Sequence, residues 1–187
     1  INLVWNSNGY LWNGGISKYN PDIHARNLED IVWMAVIAED EIAGDTTRTK
    51  QLISSITGYP DLFFKAFGSK EITMERISKA IAQFVRTLVS ANSKFDHYLR
   101  GEYQLTAEEL RGFVLFTTEE GADCFHCHGG GGNPLFTTNL FYNNGKDDEF
   151  DDLYDRYSIT NNPVDIGAYK APTLRNVELT GPYMHDG

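Results

Sequence analysis

The chain has 187 residues, enough for one domain or two small ones with a usable core, and its composition is that of an ordinary globular protein. With 26 acidic against 16 basic side chains, its net charge of -10 at pH 7 speaks against a nucleic-acid partner and favours basic ones. No apolar run approaches the roughly 20 residues that a bilayer span requires, and no signal-peptide core opens the chain.

The pattern is helical, with long irregular connections. Asn27 can cap a first helix, since Glu29 and Asp30 suit its first turn and Leu28, Ile31, Val32, Ala35 and Val36 recur at helical spacing. A second helix is predicted from Thr46 or Thr47 to Gly58, with Pro60 just beyond as a stop signal. The strongest periodicity covers residues 73 to 92, where Ile77, Ala80, Ile81, Phe84, Val85, Leu88 and Val89 share one face. After a turn at Gly101, Thr106-Ala107-Glu108-Glu109 reads as a capping box. The helix it opens carries Leu110, Phe113, Val114 and Phe116, and is expected to end just before a pair of cysteines. Beyond His128 the run Gly129 to Gly132 with Asn133-Pro134 excludes regular structure, and Lys146 to Asp155 is densely acidic. The tail from Ala171 to Gly187 is turn-rich. Strand signals are weak throughout, so the expected class is all-α, with a natural boundary near residues 100 to 105.

Chemistry concentrates in Cys124-Phe125-His126-Cys127-His128, which holds both cysteines of the chain. The spacing C-x-x-C-H is that of c-type haem attachment: two thiols one helical turn apart can each bond a vinyl group, and the adjacent imidazole can ligate the iron. A zinc site could use both thiolates with histidines 126, 128 or 185, but a second Cys or His pair at motif spacing is missing. A dithiol redox pair would need a parallel-sheet context that the helical pattern does not supply, and an inert buried pair would not need the histidine. For a sixth iron ligand Met184 is the candidate by chemistry, although a packed methionine in the tail is the preferred reading. His24, His97 and His185 read as surface or structural, and the His126 ring is expected to point away from the iron. The glycine run lacks the context of a phosphate loop and is expected to let the backbone pass close to a porphyrin or a neighbouring domain. The acidic run reads as a solvated surface, with docking of a basic electron carrier as the sharper alternative.

Three stretches together resemble the bacterial di-haem cytochrome c peroxidase family, which includes the MauG-type enzymes. They are Tyr59-Pro60-Asp61-Leu62-Phe63 through Ile81 to Ser90, Phe95-Asp96 with the haem motif, and Ala171-Pro172-Thr173-Leu174-Arg175-Asn176 through Thr180-Gly181-Pro182-Tyr183-Met184-His185-Asp186-Gly187. The resemblance implies an all-α protein of two cytochrome-c-like domains with one haem c each. Residues 1–102 would belong to the N-terminal, peroxidatic domain and 103–187 to the C-terminal one. It further implies a periplasmic or otherwise extracytoplasmic enzyme that reduces hydrogen peroxide with electrons from a small cytochrome c or cupredoxin, and it leaves a homodimer open.

Residue by residue, Cys124, Cys127 and His128 match the electron-transfer haem. Trp12 matches the tryptophan between the haems, with Asn13 where the family usually has aspartate. Glu41 matches the carboxylate beside the peroxidatic iron, with Glu39 as the alternative. The carbonyls of Thr180 and Pro182 match two ligands of a calcium ion. Two departures stand out. A second C-x-x-C-H is expected to precede Ile1, and the distal ligand of the C-terminal haem is expected beyond Gly187. The chain therefore reads as a trimmed piece of a larger enzyme, holding one haem where the parent holds two and not competent alone. A protein-modifying oxidase of MauG type and a simple electron-transfer cytochrome remain the alternatives.

Overall fold

The computed structural model describes residues 1–16, 27–39, 41–150 and 154–187. His24, Asp40 and residues 151–153 of the acidic run lie outside the described residues. In chain order the helices are α1 (Leu28–Ile37), α2 (Thr46–Ser55), α3 (Tyr59–Phe67), α4 (Met74–Thr87), α5 (Lys94–Leu99), α6 (Ala107–Thr117) and α7 (Phe125–His128). A strand β1 (Phe141–Asn143), helix α8 (Tyr157–Thr160) and strand β2 (Ala168–Lys170) follow, with short 3-10 turns at Leu3–Trp5, Pro163–Asp165 and Val177–Leu179.

The caps explain most of these bounds. Asn27 accepts from the Asp30 N–H, and Thr106 and Glu109 form a reciprocal capping box, as the sequence predicts. Two boundaries differ. Pro60 does not terminate a helix: α2 stops at Ser55, Gly58 caps a new helix, and Pro60 sits in its first turn, where a missing N–H costs nothing. Helix α4 ends at Thr87 rather than near residue 92. There Asn2 captures the chain instead, its N–H donating to the Leu88 carbonyl and its side chain pairing with both backbone groups of Ser90.

Helix α1 packs on α4, and Phe63, Ile72, Met74 and Ile77 form a buried cluster closed by Trp33, Val36, Ile53 and Phe67. Arg86 clamps the pair from outside with two hydrogen bonds, 2.8 and 2.9 Å, to the Glu29 carboxylate. A second cluster is aromatic. Phe95 of α5 meets Phe113 of α6 and Phe136 at ring distances of 5.4 and 4.8 Å, and Phe116 abuts Phe136 edge-on. Gly131 lets the chain cross this cluster, because a Cβ there would lie 2.6 Å from the Phe113 ring. The close neighbour of that glycine is thus a helix of the same chain.

Helices dominate, and one small antiparallel sheet adds to them, pairing Phe141 with Lys170, Tyr142 with Tyr169 and Asn143 with Ala168. Three residues per strand are too few to print a period of two on the sequence. The segment 1–16 runs along this sheet: the Lys170 N–H donates to the Trp12 carbonyl at 2.8 Å, and Asn8 donates to the Asn139 carbonyl. Among the described residues no helix is long and apolar enough to cross a membrane.

Candidate functional site

After α6 the chain doubles back, with the Ala122 N–H donating to the Leu115 carbonyl, and enters the single turn of α7. The His128 N–H donates to the Cys124 carbonyl at 3.0 Å, so Cys124, Cys127 and His128 occupy positions i, i+3 and i+4 and share one face. So short a helix cannot satisfy its own carbonyls. Thr138 donates to the Cys127 carbonyl through its hydroxyl and its N–H, and the Tyr142 hydroxyl donates to that of His126.

The orientation of His128 is fixed from a distance. Its Nδ1 lies 3.1 Å from the Pro172 carbonyl oxygen and 3.3 Å from that of Phe136. Carbonyl oxygens only accept, so Nδ1 carries the proton and Nε2 keeps its lone pair for a metal. His126 is engaged elsewhere, its Nδ1 2.7 Å from Asp123 and its ring stacked on Phe125. Both cysteines are free thiols, and burial, with Asp123 and Cys124 nearby, pushes the Cys127 thiol up. That is opposite to the lowered value of an activated dithiol. No group of three or more His, Cys, Asp or Glu gathers to hold a bare metal ion among the described residues.

Cys127 and His128 open onto a cavity of about 590 Å³ whose walls include Trp12, Leu174, Val177 and Met184. Thr180 and Pro182 line it as well. The tail closes over one side: Tyr183 donates to the Val177 carbonyl, Lys146 pairs with Asp186, and His185 stacks on Tyr169 while its Nε2 lies 3.1 Å from Asp147. Met184 borders the cavity half exposed, with Asn144 donating to its sulfur at 3.6 Å. A thiol pair, an imidazole with one nitrogen held and the other free, and a mostly apolar chamber fit a c-type haem.

Trp12 and residues 170–173 also line a second cavity, of about 380 Å³, shared with Ile1, Trp5 and Tyr10. One indole thus stands at the partition between two chambers. Glu41 lines neither cavity; it is exposed on the turn after α1, with its N–H donating to the Ala38 carbonyl. The structure therefore gathers Trp12, Cys127, His128, Thr180 and Pro182 around one cavity, with Cys124 on the same helical turn, whereas Glu39 and Glu41 are exposed and line neither cavity.

Comparison with known proteins agrees with this architecture. The family model described as di-haem cytochrome c peroxidase matches residues 1–104. A cytochrome c551 peroxidase of Nitrosomonas europaea is 36% identical over 170 residues, covering 89% of this chain and 49% of that protein. The methylamine utilization protein MauG of Methylophilus methylotrophus is 32% identical over 189 residues, covering 100% of this chain and 52% of its own length. A crystal structure of a MauG-like protein associated with microbial copper homeostasis superposes with a TM-score of 0.72 at 32% identity, covering 86% of this chain and 51% of the other. The molecule is thus a helix-dominated protein with a cavity suited to haem. It belongs to the di-haem cytochrome c peroxidase family, and it spans about half the length of the relatives it matches.

Proposed function

We propose that this chain is the part of a di-haem peroxidase that carries the electron-transfer haem, on Cys124, Cys127 and His128. The whole enzyme would reduce hydrogen peroxide with electrons from a small cytochrome c or cupredoxin outside the cytoplasm. The observation that carries this reading is the bond from His128 Nδ1 to the Pro172 carbonyl, which frees Nε2 beside a mostly apolar cavity. Cys124, Cys127 and His128 would hold a haem there, and it would supply one-electron chemistry at its iron.

The remaining residues set the conditions. Cys124 and Cys127 would tether the group covalently, and Leu174 and Val177 would add apolar wall beside it. Trp12 stands at the partition between the chambers, where a π-system shortens the distance an electron must cross. The carbonyls of Thr180 and Pro182 would contribute to a calcium site between the two haem domains, divided near residue 102. Glu41 would take a proton from peroxide and return it to the departing oxygen, the work of a general acid and base. A protein-modifying oxidase is the second reading, supported by the MauG relatives that match the full chain.

The test uses natively matured full-length protein. A pyridine haemochrome spectrum after acid extraction should show covalently retained haem, and peroxide should be consumed when a reduced small cytochrome is supplied. Bare thiols in mature protein would overturn the haem assignment. Haem-loaded protein that oxidises a protein side chain and turns over no donor would favour the oxidase.

A further inference from the structure

Lys170 is a buried cation at the wall that the two cavities share. Its ammonium donates to the Gly9 carbonyl and, at 3.3 Å, to Oδ1 of Asn6, while its own N–H donates to the Trp12 carbonyl. One residue thus grips the Trp12 loop at three points. The loop is tight: the Tyr10 N–H donates to the Ile16 carbonyl, and a Cβ on Gly9, whose φ is +91°, would lie 2.8 Å from the Gly14 oxygen. Arg156 holds the other flank, donating at 3.0 Å to the Asn13 carbonyl.

Both cations are bonded to neutral oxygens. Neither forms an ion pair with a carboxylate among the described residues; the carboxylates of Asp147, Asp155 and Asp186 act on the neighbouring Tyr169 instead. Burial, with Arg156 nearby, pushes the Lys170 amine down to about 8, which leaves it mostly protonated at neutral pH. A cation in a poorly hydrated wall favours the electron-rich state of a redox group beside it.

We propose that Lys170 is a positioning residue that locks the Trp12 loop at the partition and raises the potential of the redox group held by His128. The loop part stands on the hydrogen bonds alone, and the potential part rests on the haem reading above. A lysine here therefore does two separable jobs, one through its donors and one through its charge.

The experiment compares wild type, K170R, K170M and N6A in natively matured full-length protein, each first checked for haem by pyridine haemochrome. Potentials come from spectroelectrochemical titration, and loop stability from hydrogen exchange of peptides covering residues 9–16. In K170M the equilibrium constant for reduction should fall about tenfold, roughly 59 mV for one electron, and the loop should exchange faster. K170R should recover most of the potential. N6A, which keeps the charge, should loosen the loop and leave the potential in place, and this arm also serves if K170M does not fold. Haem-loaded K170M with unchanged potential and unchanged exchange overturns the proposal, as does N6A with unchanged exchange. A wild type without haem strikes the haem reading instead, and the exchange arm still reads the grip.

Discussion

The Arg175 guanidinium and the Asp96 carboxylate meet fork to fork, at 2.9 and 2.5 Å, with side chains only 4% and 8% exposed. Asp96 also caps α5, accepting from the Ser93 N–H and hydroxyl, and Arg175 donates through Nε to the Pro134 carbonyl. The pair therefore pins the segment that supplies the Pro172 carbonyl to the helix that carries Phe95. Every polar atom of the pair is used, so removing one partner strands the other.

D96A should accordingly lose about 3–5 kcal/mol, the range for breaking a buried ion pair. R175M should lose a comparable amount. A double variant carrying apolar residues of similar volume at both positions should recover much of the loss, because no charge is then left buried. Guanidinium denaturation midpoints measure all three, and a D96A protein as stable as wild type would remove the pair from the frame.

Acid should act through the same carboxylate. The Arg175 fork, and then the Ser93 donors, hold Asp96 well below the usual carboxylate range, and the Arg86 hydrogen bonds lower Glu29. A carboxyl depressed in the folded state contributes stability in full above its unfolded value, about 4 for these groups, and loses it as pH falls toward the folded value. Stability should thus be level from about pH 7 to 5 on account of these groups and fall steeply below about 4. In D96N the fall should be shallower. Chemical denaturation at a series of pH values reads the slope.

These anchors mark where sequence reading stops. The capping residues Asn27 and Thr106 and the C-x-x-C-H turn are local, so short patterns reveal them. Helix α3 was hidden because Pro60 signals both an ending and a beginning, and only Gly58 in a left-handed conformation decides between them. The end of α4 is set by Asn2, far away in the chain. At the candidate site the thiols and imidazole are legible from their spacing, whereas the carbonyl that orients the imidazole belongs to Pro172, a backbone group with no signature. Lys170 reads as an ordinary charged residue until β2 places it against the Trp12 loop.

The thiols and the imidazole should separate cleanly by experiment. C124S and C127S should each leave haem held through one thioether, seen as a mass increase that survives unfolding, and the double variant should release all haem to acidified solvent. H128A should keep the covalent link and change the iron's axial ligation, which absorption and magnetic circular dichroism spectra record. Haem retained covalently in the double cysteine variant would contradict the assignment of those sulfurs.

Trp12 lines both cavities and Glu41 lines neither, so their roles should come apart in kinetics. W12F removes the indole from the partition and leaves the thiols and His128 in place, so haem content should be unchanged. Transfer between the two redox centres of the full-length enzyme should slow at least several-fold, as read by stopped-flow mixing of the reduced protein with peroxide. E41Q should leave that transfer intact and lower peroxide turnover by about 10²–10⁴, the usual worth of a positioned proton donor and acceptor. If E41Q is fully active and E39Q is not, the carboxylate is Glu39. If both are active, neither supplies the proton, and the general acid must come from outside this turn.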